Sequence, residues 1–134
     1  MQKPSDDHPL ASWYQGQTLM EALENARLPV RSVNKPLRVS IYDYYKAAVG
    51  NLIGDCVQAK VESGMICLKD QILLMPHDVK CTVKTIEVKN KKVGFARPGT
   101  ICELALNMPS TFDPVFLRKG NVLCSIEYPT PLVY

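Results

Sequence analysis

Several things are scarce in this chain of 134 residues. No stretch approaches the roughly 20 consecutive apolar residues that a helix needs to cross a bilayer, so a membrane-spanning helix is excluded. Residues 1–10 open with charges and no apolar stretch behind them; they read as a flexible lead-in and not as a secretory signal. Histidine occurs twice, at His8 and His77, which leaves little material for general-base chemistry. The phosphate-cradling pattern G-x-x-x-x-G-K-[ST] is absent, so the chain by itself is not expected to hold GTP. No paired carboxylates, serine triad or metal-ligand cluster can be assembled from the motifs. The expectation is a non-catalytic chain with no cofactor, no metal and no small-molecule substrate.

Cysteine is not scarce, but its pattern excludes two uses. Cys56, Cys67, Cys81, Cys102 and Cys124 form an odd set with gaps of ten or more residues and no C-x-x-C pair. That spacing suits neither a zinc site nor a compact disulfide framework. Four of them lie in or beside β-branched, apolar text. They read as buried, reduced thiols, as expected of a cytoplasmic protein. A small thiol enzyme would need a base, and His77 lies in the turn-like Met75-Pro76-His77-Asp78.

What is present points to one β-rich domain with a short helical appendage. Hydrophobic residues make up 46% of the chain and charged ones 22%, an ordinary globular balance. Thr18-Leu19-Met20-Glu21 is a capping box and predicts a helix from Leu19 to about Ala26, before Pro29. Leu19 and Leu23 share one face, which wants a surface from this domain or from a missing neighbour. From Leu37 onward the text is strands and turns. Val57, Ala59 and Val61 alternate with Gln58, Lys60 and Glu62, and Ser63-Gly64 turns the chain. Ile72 to Met75 is a short apolar run. Val83, Ile86 and Val88 share a face only if a β-bulge intervenes near Thr85. Arg97-Pro98-Gly99-Thr100 fits a type II turn, Cys102, Leu104 and Leu106 alternate, and Lys119-Gly120-Asn121 turns into a last strand from Val122 to Ile126. Gly64, Pro98, Gly99 and Gly120 are thus the structural turn positions. About six strands with no helix between them predict an all-β, closed antiparallel barrel.

Charge is unevenly spread. Lys80, Lys84, Lys89, Lys91, Lys92 and Arg97 face a single acid, Glu87, in the segment 80–97, an excess larger than the formal +3 of the whole chain. Lys84, Lys89, Lys91, Lys92 and Arg97 are therefore candidate contacts to RNA phosphates or to a partner, and Lys89-Asn90-Lys91-Lys92 reads as a hairpin tip. The same lysines equally describe a solvated, solubilising face. Tyr42 and Tyr44 fall on one face and Tyr45 on the other, so base stacking is the lesser use of these rings.

The stretch Pro36-Leu37-Arg38-Val39-Ser40-Ile41-Tyr42-Asp43, followed by Lys60-Val61-Glu62-Ser63-Gly64-Met65-Ile66, resembles the second-domain β-barrel of translational GTPases such as elongation factor 1-alpha and EF-Tu. Trp13-Tyr14-x-Gly16-x-Thr18-Leu19, Pro98-Gly99 and Lys119-Gly120 extend the resemblance over residues 11–132. It implies a Greek-key barrel over 36–134, with 11–35 as the end of a GTPase domain and its linker. GTP and magnesium would then belong to the parent protein. Two departures stand out: Lys89 follows Ile86-Glu87-Val88 where aminoacyl-tRNA carriers have histidine, and Thr100-Ile101 follows Pro98-Gly99 where they have D-N. The runs Lys60 to Gly64, Leu73 to Pro76 and Lys80 to Lys84 look like the Hbs-type ribosome-rescue GTPase, with the class II release factor as runner-up. The partners so implied are small-subunit ribosomal RNA and a Pelota-like or release-factor protein. Elongation factor 1-alpha proper and a free-standing RNA-binding barrel are the alternatives.

Overall fold

The computed structural model describes residues 9, 13, 14, 16–48, 50 and 52–131. His8 and most of the 1–10 lead-in lie outside the described residues. By internal contacts the chain divides into two units, 1–30 and 31–134.

Among the described residues, the first unit carries the α-helix α1 (Leu19–Glu24). Its capping box is formed in both directions: Thr18 N donates to Glu21 Oε2 at 2.8 Å, and Glu21 N donates to Thr18 Oγ1 at 3.3 Å. The helix stops at Asn25, earlier than Ala26 and well before Pro29. Asn competes for backbone hydrogen bonds and favours helix ends, so the proline is not what stops it. Leu19 and Leu23 are both exposed. Trp13 and Tyr14 meet edge to face with ring centroids 5.8 Å apart.

The second unit is the barrel. Its strands are β1 (Arg38–Ala47), β2 (Gly54–Ser63), β3 (Ile66–Cys67), β4 (Gln71–Met75), β5 (Val79–Val88), β6 (Lys91–Val93), β7 (Phe95–Ala96), β8 (Ile101–Asn107) and β9 (Val122–Ser125). The main sheet runs β4-β9-β1-β2-β8-β5-β6, and a further pairing of β4 with β5 closes six of these strands into a ring. All its pairings are antiparallel. Closure leaves none of the six ring strands at the edge of the sheet, although β9 pairs with only Arg38 to Ser40 of β1. The hairpin strand β6 extends from β5, and β3 and β7 form a separate two-stranded ribbon.

Alternation fills the interior. Val57, Ala59 and Val61 of β2, Cys102, Leu104 and Leu106 of β8, and Cys81, Val83 and Ile86 of β5 enter one core with Val39, Ile41, Ile72, Leu74 and Leu123. The predicted bulge in β5 is present: the register against β8 shifts between Val83 and Thr85, which returns Ile86 to the inside. A second shift, between Ile41 and Asp43, was not legible in the sequence. It corrects the reading of the tyrosines. Tyr42 is the extra residue and is exposed, whereas Tyr44 turns to the main core. Tyr45 lies on the opposite wall, against Leu52, Cys56 and Ala105. The last turn is fastened to β1, where Gly120 N donates to Ile41 O and Ile41 N to Asn121 O, each at 3.0 Å.

Candidate functional site

The basic residues fall in three places. Lys89 and Asn90 make the two-residue turn between β5 and β6, with φ of 51° and 62°. Both central residues at positive φ are the mark of a type I′ hairpin turn, whose twist matches the strands it joins. Lys91 and Lys92 therefore sit in β6 and not in the loop; with Lys89 they form one exposed cationic hairpin. Arg97 follows β7 and lies over the Phe95 ring at 5.6 Å, a cation–π contact on an exposed aromatic. Lys84 is exposed at the β5 bulge, five residues from Lys89. At the rise of a strand that is about 16 Å away. The hairpin lysines are thus one cluster, and Lys84 stands apart from it.

The turn glycines differ in setting. Gly99 has φ +82° and Thr100 N donates to Arg97 O at 3.1 Å, the geometry of a type II turn with glycine third. Gly64 (φ +70°) is buried, and a Cβ there would lie 2.8 Å from Leu37 Cα. Gly120 (φ +93°) has open space around it.

Between β2, β8 and the hairpin lies a groove of about 450 Å³, lined by residues that include Gln58, Glu87, Lys89, Thr100, Ile101 and Glu103. In the sequence, Glu87 is the lone acid among lysines. Its place follows from register: Asp43, Gln58, Glu103, Glu87 and Lys92 are successive cross-strand partners over β1, β2, β8, β5 and β6, a polar row on the outer wall. Glu87 is buried at 7% exposure, and its Oε1 has no hydrogen-bond partner. Glu103 accepts from the Tyr45 hydroxyl at 2.7 Å. Burial, then that bond and the Glu103 charge, hold the Tyr45 hydroxyl well above the usual phenol range. On the other side of β1, Tyr44 donates to Asp55 Oδ1 at 2.8 Å. Burial first, then Asp55, push the Tyr44 hydroxyl up to about 12.

The geometry offers little to thiol chemistry. The five cysteines are free, four are buried and Cys67 is half-buried. Burial pushes the Cys81 and Cys102 thiols up to about 12, away from the reactive thiolate. His77 is exposed, with Nε2 3.1 Å from Phe116 O and its ring beside Phe112 and Phe116. Among the described residues no three His, Cys, Asp or Glu side chains are grouped to hold a metal ion, and no helix is long and apolar enough to cross a membrane.

The closed six-stranded ring with its appended hairpin is similar to the β-barrels of translation factors. No family model matches the chain. It is 33% identical to elongation factor 1-alpha of Desulfurococcus mucosus over 121 residues, 90% of this chain and 26% of that protein. It is 34% identical to Protein HBS1 of Drosophila melanogaster over 131 residues, 97% of this chain and 18% of that protein. Among solved structures, sup35 complexed with GDP matches with a TM-score of 0.64 at 27% identity, over 88% of this chain and 27% of that one. Translation elongation factor SelB from Methanococcus maripaludis shares the fold, with a TM-score of 0.68 at 17% identity over 82% of this chain and 22% of that one. The chain therefore spans only about a fifth to a quarter of the length of these relatives. Together these similarities support its reading as a domain II of the translational GTPases.

Proposed function

We propose that this chain is the domain II segment of a translational GTPase acting in ribosome rescue or termination. In this reading it is itself non-catalytic, GTP and magnesium are handled by the rest of the parent protein, and the site of action is the cytoplasm. The cationic hairpin of Lys89, Lys91 and Lys92, with Arg97 and Lys84 nearby on the chain, meets phosphates of the small-subunit ribosomal RNA. The delivered partner is a Pelota-like or release-factor protein.

The observation that carries the choice of a protein cargo is the lining of the groove. Lys89, Thr100 and Ile101, the positions at which the sequence departs from aminoacyl-tRNA carriers, all line it. Identities of 33–36% to several elongation factor 1-alpha proteins favour a second reading, in which the parent protein delivers aminoacyl-tRNA.

Sedimentation with purified small ribosomal subunits over a range of salt tests the RNA contact. Phosphate contacts give log–log salt slopes of about −0.7 to −0.9 per phosphate neutralised. The triple variant Lys89→Glu, Lys91→Glu, Lys92→Glu is expected to lose association at low salt; unchanged association would return the lysines to a solvated face. Capture of aminoacyl-tRNA in preference to a Pelota-type protein by the parent protein would favour the second reading.

A further inference from the structure

We infer that the groove between β8 and the β5–β6 hairpin receives the guanidinium of an arginine presented by a protein partner. Glu87 and Glu103 stand directly opposite each other on antiparallel strands. Like charges in that position destabilise a sheet. Glu87, which lines the groove, is also buried and carries an oxygen, Oε1, with no hydrogen-bond partner. A buried ionised carboxylate beside a second one is costly unless a cation pairs with it, so this pair gains from an incoming positive group.

The chain's own cations do not complete it. Lys92 is the cross-strand partner of Glu87 and Lys89 lines the groove, yet both are exposed and neither is within ion-pair distance of Glu87; the ion pair among the described residues is Lys60–Glu62, at 3.1 Å. Glu103 has one oxygen engaged by Tyr45, which leaves the other open.

The chemistry selects the occupant. Two carboxylates make too small a donor set for a metal, and about 450 Å³ is far larger than an ion needs. RNA phosphates are repelled by the same two charges. A guanidinium is planar, is weakly hydrated, and offers a fork of donors that two carboxylate oxygens accept. The groove is also lined by Val88 and Ile101, apolar surface on which the methylene stem of an arginine can lie. The inference deepens the reading above, on which it rests for a protein as the cargo, by naming the group through which that protein is gripped.

The test is an amide NMR titration of the full 134-residue chain with acetyl-arginine amide. Acetyl-citrulline amide serves as the neutral isostere and acetyl-lysine amide as the second cation. Arginine is expected to give saturating shifts confined to Gln58, Glu87 to Lys89 and Thr100 to Glu103, with the other two probes weaker by roughly tenfold. Glu87→Gln and Glu103→Gln should each weaken binding several-fold with the rest of the spectrum unchanged. Glu87→Gln should also raise the melting temperature of the free protein, because it removes an uncompensated charge. Equal affinity for citrulline or lysine, shifts spread over the surface, or a lowered melting temperature in Glu87→Gln would overturn the inference. So would a short single-stranded RNA that moves these amides when arginine does not. Ribosome association is not read in this titration, so failure of the RNA contact and failure of the arginine site are separately visible.

Discussion

Gly64 and Gly99 share a positive φ, +70° and +82°, but what surrounds them makes them unequal. A Cβ on Gly64 would meet backbone atoms of Lys35 and Leu37, whereas one on Gly99 would meet the Arg31 side chain, which can move aside. Gly64→Ala is therefore expected to destabilise by about 2–4 kcal/mol, Gly99→Val by about 1–3 and Gly120→Ala by about 1, read from urea melts. The need for these turns was visible in the sequence. Their ranking was not, because it depends on which residues distant in sequence press against each glycine. Tyr44 gives a second test. Its hydroxyl is raised to about 12 from 10.0, so the stability it contributes is full below pH 10 and is lost as pH rises from 10 to 12. Tyr44→Phe should lose about 1 kcal/mol at neutral pH with the Asp55 bond, and fall less steeply across that alkaline window. An equal slope in wild type and variant would show that other groups govern the alkaline limb.

At the scale of elements, the hairpin joins stability to charge. Lys89 and Asn90 hold positive φ without being glycine, a strain that an Asn-Gly pair does not carry. Replacing them as Lys89→Asn and Asn90→Gly should raise stability by about 1 kcal/mol, measured as a shift in urea midpoint at unchanged m-value. Strands β2 and β8 were legible because their apolar residues repeat with a period of two, β4 because it is a short apolar run, and a break in the period of β5 locates the bulge. The short β3, β6 and β7 were not legible, since two or three residues are too few to show a period. Nor was the paired-carboxylate wall. Glu87 and Glu103 are 16 residues apart and become neighbours only through the register of β5 against β8.

For the whole molecule, the sequence holds no G-x-x-x-x-G-K-[ST] motif, so calorimetric titration with GTP and magnesium is expected to be flat; saturable micromolar binding would remove the domain II reading. Ring closure has a further bearing on the order in which the protein matures. Strand β9 sits between β1 and β4, pairing Val39 with Leu123 on one side and Leu74 with Leu123 on the other. Until residues 122–125 are synthesised, β1 and β4 each present an open row of amides and carbonyls to the crowded exit of a translating ribosome. A chain stopped at Asn121 should accordingly self-associate through those two edges. A synthetic peptide spanning 119–131, added in trans, should enter the vacant slot and restore a monomer on size-exclusion chromatography.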